Sequence, residues 1–294
     1  MVDQSSPCIS VSAAESPREI AFTMDKIIKQ GKLLFGIAIA AIGAENLICA
    51  HVSQLVFANN PPAVPVLPFV PTIPFLVYFV GIALLAAGVC MAANIRPRFA
   101  AILLGVFFLL WTLVLLVPKA VARPLDLNIR TCVFEVLALG ASALTLAGCL
   151  EEDVRSSMVG SLFVGRLIDK LVASAPSLFA ISSVIFGVTH FLIPRVIASL
   201  IPAWIPGGLF WAYFYGTAFI AAGVSIATGF LARWGAFWLG VMFLLWFVLL
   251  HAPLVATHLR DPAQWSSAFI ALGMCGGSWI CAWYSQQRRR QNTN

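Results

Sequence analysis

Residues 98–118 read RFAAILLGVFFLLWTLVLLVP, and residues 233–253 read RWGAFWLGVMFLLWFVLLHAP. After the leading arginine, neither run carries an Asp, Glu, Lys or Arg. A spanning helix needs roughly 20 mostly apolar residues at ~1.5 Å each. Lipid offers the backbone no partner, so a run of this length satisfies its amides internally, as a helix. Eight such runs are expected, over 31–57, 73–94, 98–118, 129–150, 177–199, 209–230, 233–256 and 266–284. The ten-residue alternating segments of a membrane β-barrel do not occur. Over 294 residues, 61% are hydrophobic and 10% charged, against about 25% charged in a soluble domain. The chain therefore reads as an all-α, multi-pass integral membrane protein, with the lipid bilayer as its first partner.

The two quoted runs are also copies. Arg98, Gly105, Trp111 and Pro118 recur as Arg233, Gly240, Trp246 and Pro253, each shifted by 135. The same offset pairs Tyr78-Phe79-Val80-Gly81 with Tyr213-Phe214-Tyr215-Gly216, Ala86-Ala87-Gly88-Val89 with Ala221-Ala222-Gly223-Val224, Asp126 with Asp261 and Phe134 with Phe269. Nearer the N-terminus the offset is 144: Asp25-Lys26 pairs with Asp169-Lys170, Leu34-Phe35 with Leu178-Phe179, and Gly43 with Gly187. One nine-residue insertion in the first long loop, Asn59-Asn60-Pro61-Pro62 onward, accounts for the change. Self-similarity at fixed period marks a repeat. The expected layout is a disordered tail over 1–15, a four-helix repeat over 16–150, a second over 151–285, and a basic tail over 286–294. An even number of spans per unit makes the repeats parallel, with their symmetry axis along the membrane normal.

Each unit is expected to open with an amphipathic helix. In the first, Ser16-Pro17-Arg18-Glu19 is an N-terminal capping pattern, and Ile20, Met24, Ile27 and Ile28 line one face. In the second, Val164, Leu167, Ile168 and Leu171 lie opposite Arg155, Arg166 and Lys170. Such helices suit a membrane surface with anionic lipid.

The net charge of +6 sets topology and does not point to nucleic acid. Thirteen basic residues fall on the side of the N-terminus: Arg18, Lys26, Lys29, Lys32, Arg96, Arg98, Arg155, Arg166, Lys170, Arg233 and Arg288 to Arg290. Five fall opposite: Lys119, Arg123, Arg130, Arg195 and Arg260. The positive-inside rule places both termini in the cytoplasm. No cleavable signal peptide is evident, because the first apolar run is long enough to span. Seven cysteines show neither Cys-x-x-Cys nor Cys/His metal spacing, and read as small apolar packing groups. A dithiol relay between Cys49 and Cys132 has nothing in the spacing to support it.

Ionisable groups inside spans are costly and mark function first. Glu45 lies inside the first span, Glu135 in the fourth, His190 past the middle of the fifth, His251 near the outer end of the seventh and His51 near that of the first. Asn46 aligns with His190. A polar pocket opening outward in each half is expected, with Arg195, Asp126, Asp261 and His258 at its mouth. The alternative is that these groups pair and lock the helices. Haem is disfavoured, since His190 and His251 would differ by roughly 7 Å in height at ~1.5 Å per residue. The proline-rich stretches Leu67-Pro68-Phe69-Val70-Pro71 and Ile201-Pro202-Ala203-Trp204-Ile205-Pro206 precede spans in equivalent loops, as helix starts or as a re-entrant cap.

The stretch Phe186-Gly187-Val188-Thr189-His190-Phe191-Leu192-Ile193-Pro194, followed by Pro202-Ala203-Trp204-Ile205-Pro206, Trp211-Ala212-Tyr213, Gly216 and Ala221-Ala222-Gly223, resembles the DoxX-like membrane proteins. The resemblance covers most of the second half and the first half less well, where Asn46 stands at the histidine position. It implies a compact four-helix unit, a bacterial plasma membrane, and association with quinone-coupled or thiol-redox systems. It supplies no catalytic residue. The leading expectation is an accessory subunit, not an enzyme by itself, holding a quinone-like molecule beside His190 with Trp204, Trp211 and Tyr213 as aromatic walls and a membrane or soluble redox protein as partner. A small-molecule transporter with a site between Glu45 and His190, and a membrane scaffold, are the competing readings.

Overall fold

A computed structural model describes residues 17–56, 74–150, 162–202 and 204–293. Among these the chain is helical, with no strand. The helices are α1 (Pro17–Lys29), α2 (Gly31–Val56), α3 (Pro74–Ala92), α4 (Pro97–Trp111), α5 (Val117–Ala122), α6 (Leu127–Cys149), α7 (Leu162–Leu192), α8 (Pro194–Leu200), α9 (Gly208–Thr228), α10 (Ala232–Trp246), α11 (Ala252–Thr257) and α12 (Pro262–Thr293). A π-helical turn joins α4 to α5 at Thr112–Leu116, and another joins α10 to α11 at Phe247–His251. Seven of the resulting helices are long and apolar enough to cross a membrane, and α3 contributes a shorter apolar one, Leu76–Ala92. The outer surface carries many large apolar side chains, among them Ile82, Leu113, Val114 and Trp238. A surface that apolar is suited to lipid and not to water.

The two π-turns have a shared physical cause. Pro118 and Pro253 follow within a turn of each. A proline offers no N–H and collides with the carbonyl four residues back. Widening the helix relieves that collision: the amide of Val117 reaches the carbonyl of Thr112, and that of Ala252 reaches Phe247. The turns that precede α4 and α10 also match. Asn94 (φ 60) and Arg96 (φ 43) are left-handed before the first, as Gly229 (φ 76) and Leu231 (φ 53) are before the second. Every one of these positions is shifted by 135.

Helix packing repeats in the same way. Gly43 on α2 lies against the backbone of Gly81 and Leu85 on α3, and Gly187 on α7 lies against Gly216 and Ile220 on α9. A Cβ at either glycine would meet main-chain atoms, so the pairs α2–α3 and α7–α9 are as close as backbones allow.

The order of contacts departs from two separate bundles. These long helices and α3 pack as a closed circuit, α2 on α3, α3 on α4, α4 on α6, α6 on α7, α7 on α9, α9 on α10, α10 on α12, and α12 back on α2. Across the middle α6 packs on α12. Gly273 of α12 faces both Leu139 of α6 and Ala38 of α2, so α12 stands between them. Each half thus lends its last helix to close the first helix of the other. The central α6 is buried along most of its length.

Three expectations change. The apolar run over 177–199 is not one helix: α7 ends at Leu192, and Pro194 starts α8 after an irregular Ile193, because the residue before proline is driven out of the helical region. The second amphipathic element is continuous with its span inside α7, and only in the first half does a turn at Gln30 separate them. The basic stretch after residue 285 continues α12 to Thr293 rather than forming a tail. The expected N-terminal tail, the Ser16 cap and the loop holding Pro61 to Pro71 lie outside the described residues.

Beside the end of α12, Asp25 of α1 accepts from the guanidinium of Arg233 on α10, from Gln286 Nε2 (2.8 Å) and from Arg290 (3.4 Å) on α12. This pins α1 across two helices of the second half.

Candidate functional site

His190 projects from α7 and is buried, at 7% exposure. Its Nδ1 lies 2.7 Å from the carbonyl oxygen of Phe186, one turn back. A carbonyl only accepts, so Nδ1 carries the proton and Nε2 presents a bare lone pair. That Nε2 is buried and has no hydrogen-bond partner among the described residues. Aromatic rings surround it. The imidazole centroid is 5.3 Å from Phe219 on α9 and 6.2 Å from Trp246 on α10, the latter near parallel. Phe186 and Phe243 pack on Phe219 at 5.8 and 5.5 Å, and Tyr215 sits edge-on to Trp246 at 5.0 Å. The position of the ring is held by Gly216 of α9, where any Cβ would strike the Cβ of His190.

Asn46, at the matching place on α2, is 2% exposed and donates from Nδ2 to the carbonyl of Ile42 at 3.2 Å. Ile42 is the counterpart of Phe186, so both halves use the same bond to hold a polar side chain against its own helix. Trp111, the counterpart of Trp246, is 6% exposed, and its indole N–H has no partner among the described residues. One half therefore places an imidazole, and the other an amide, on an otherwise shared frame.

The remaining sequence candidates are dispersed. Glu45, 7% exposed, accepts from the hydroxyl of Ser266 on α12 through Oε1 at 2.7 Å, while Oε2 is buried without a partner. No hydrogen bond, ion pair or ring contact joins it to His190. His251 lies within the second π-turn, with Nδ1 buried and unpartnered among the described residues. Glu135 is half-buried on α6. Trp204 is 67% exposed, and Tyr213, 44% exposed, packs on Phe191. Trp211 donates its N–H to Pro206 and stacks on Tyr215, which leads on to Trp246 and so to His190. Asp126 caps α6 through the amide of Ile129, and Asp261 accepts from Ala263 and Gln264 at the start of α12. Both aspartates thus hold helix starts. The side chain of His51 lies outside the described residues.

Three residues that matter here carry little individual signal in the sequence. Phe219 is one of many aromatics, and Trp246 is visible only as a repeat match. Ser266 could have been found from its alignment with Thr131, since both place a hydroxyl one turn into a span. Among the described residues no three His, Cys, Asp or Glu side chains converge as a metal site. Chemically, the His190 cluster can accept a hydrogen bond from a hydroxyl or N–H on an otherwise apolar molecule. No family profile, curated protein sequence or solved structure matches this chain.

Proposed function

We propose that the chain is an eight-span membrane protein of two parallel four-helix repeats, DoxX-like in its second half, that serves a quinone-linked or thiol-redox system as an accessory subunit. In this reading it sits in a bacterial plasma membrane with both termini cytoplasmic, and it binds a quinol-like molecule at His190. The observation that carries the reading is the bare, buried Nε2 of His190 inside an aromatic wall. An unmet buried acceptor costs about 1–3 kcal/mol, and a ligand hydroxyl arriving there recovers much of that. The tautomer selects among ligands. Nε2 accepts, so the hydroxyl-bearing quinol is favoured over the quinone, whose carbonyls need a donor. Apolar clefts with one or two polar groups are the usual form of such sites.

The test is native mass spectrometry, with lipid extraction, on protein purified gently from its own membrane. Wild type is compared with His190→Ala and with His190→Asn, the residue type that the first half carries at Asn46. Asn can keep the bond to the Phe186 carbonyl while removing the ring, so fold is preserved. A quinol retained by wild type and lost from both variants is the expected result. Phospholipid alone in all three samples would overturn the assignment.

A transporter remains the second reading, favoured by the paired π-turns at Thr112–Leu116 and Phe247–His251. Such turns interrupt the regular ladder inside a span and recur at functional sites.

A further inference from the structure

The seam between α6 and α7 holds a cleft whose counterpart is the seam between α12 and α2. On α6 it is lined by Arg130, Thr131 and Phe134, and on α7 by Ile185 and Thr189. In the matching seam, Ser266 stands where Thr131 does and Glu45 stands where Thr189 does. There the serine hydroxyl donates to the carboxylate across the seam. Among the residues that line the α6–α7 cleft there is no carboxylate. Thr131 and Thr189 turn their hydroxyls to their own helices, onto the carbonyls of Leu127 and Ile185, both at 2.9 Å. Arg130, whose counterpart is Trp265, adds a cation at the rim. No ion pair or side-chain hydrogen bond of Arg130 occurs among the described residues.

We infer that this cleft binds the anionic head of an acyl-chain lipid, which takes the place that the Glu45 carboxylate takes in the other seam. The guanidinium of Arg130 pairs with the head, as guanidinium does with carboxylate or phosphate oxygens. The hydroxyl of Thr131 can turn from its carbonyl to the incoming oxygen, the orientation Ser266 has toward Glu45. Phe134 and Ile185 lie about one turn deeper than Arg130 and Thr189 and offer the chain an apolar bed. Arg130 is in the first turn of α6 and Thr189 is in the last turn of α7, so the head sits at the end of the span, where lipid headgroups lie. This cleft meets the ring cluster of His190 at Phe186, and its readout is the mass of a different adduct.

The test uses the full chain, stripped of lipid in detergent and titrated with oleate, with dioleoyl phosphatidylglycerol or with dioleoyl phosphatidylcholine, read by native mass spectrometry. Wild type should retain an anionic adduct in preference to phosphatidylcholine. Arg130→Gln should weaken it by about tenfold, the size of one charge-assisted hydrogen bond. Thr189→Glu, which installs the missing carboxylate, should fill the cleft and weaken the adduct similarly while elution and Tm stay at wild-type values. If Arg130→Gln fails to fold, Thr189→Glu alone still decides. Preference for oleate identifies a free fatty acid as the source, and preference for phosphatidylglycerol identifies a phospholipid. Equal retention of phosphatidylcholine, or full retention of the anionic adduct in Thr189→Glu, would overturn the inference.

Discussion

The first and second halves share a frame and differ in what they place on it. The bounds of α4 and α5 recur as those of α10 and α11, and left-handed turns, π-turns and glycine contacts recur at fixed offsets. The side chains that carry chemistry do not: Asn46 answers to His190, Glu45 to Thr189, Ser266 to Thr131 and Trp265 to Arg130. Backbone contacts between close-packed helices tolerate few substitutions, because a single Cβ forces helices apart. A polar side chain that bonds its own helix one turn back asks nothing of its neighbours, so it can be exchanged without disturbing the frame. The repeat is thus a packing device, and the halves disagree where polar side chains have been exchanged on it.

Three experiments test how far the two halves are equivalent. The largest effect is expected from separating the halves. A chain ending in the undescribed link after Leu150 lacks the α12 that closes α2, and a chain beginning there lacks the α6 that closes α7. Each alone should lose folded, monodisperse protein by about tenfold or more in fluorescence-detected size-exclusion chromatography. Co-expression of both should restore a single species. Well-folded monomers from either half alone would show that the lent helices are dispensable. Next come Gly43→Leu and Gly187→Leu. Overpacking typically costs about 1–3 kcal/mol, and the cost should be at least that large here, where the clash is with main chain. The two variants should lower Tm by similar amounts, and a large difference between them would break the equivalence of the α2–α3 and α7–α9 contacts. The smallest effect is expected from the aspartates. Asp25 is held by Arg233, Gln286 and Arg290, whereas its counterpart Asp169 is exposed. Asp25→Asn should lower Tm by a few degrees, of the order expected for about 1 kcal/mol in a protein of this size. Asp169→Asn should leave it unchanged.

Much of this architecture is legible in the residues because lipid is an unforgiving solvent. Hydropathy alone places the cores of the spans, and Pro118 and Pro253 mark where two of them are disturbed. The repeat is legible because Gly43, Gly81, Gly187 and Gly216 are fixed by backbone contact. What hydropathy does not encode is which span lies beside which. A Gly31 or Gly276 signals a close neighbour without naming it, so the exchange of α6 and α12 is invisible until the helices are placed. The break at Ile193 is a local matter that Pro194 announces, yet the apolar run continues through it. At the candidate site, His190 and Asn46 stand out as polar groups within spans. Their surroundings do not, because Phe219 and Trp246 reach His190 from other helices and are two among many aromatics.

The lending of α12 also orders events during synthesis. The face of α2 around Gly31 and Phe35 packs on Gly276, which is made after some two hundred further residues. At ~5–20 residues per second that interval is on the order of 10–40 s. For that time the glycine face of α2 stands in the bilayer without its partner, while α6 is already available to receive α7. The second half can therefore begin to assemble on α6, and the first half is completed last, although it is the first to leave the ribosome.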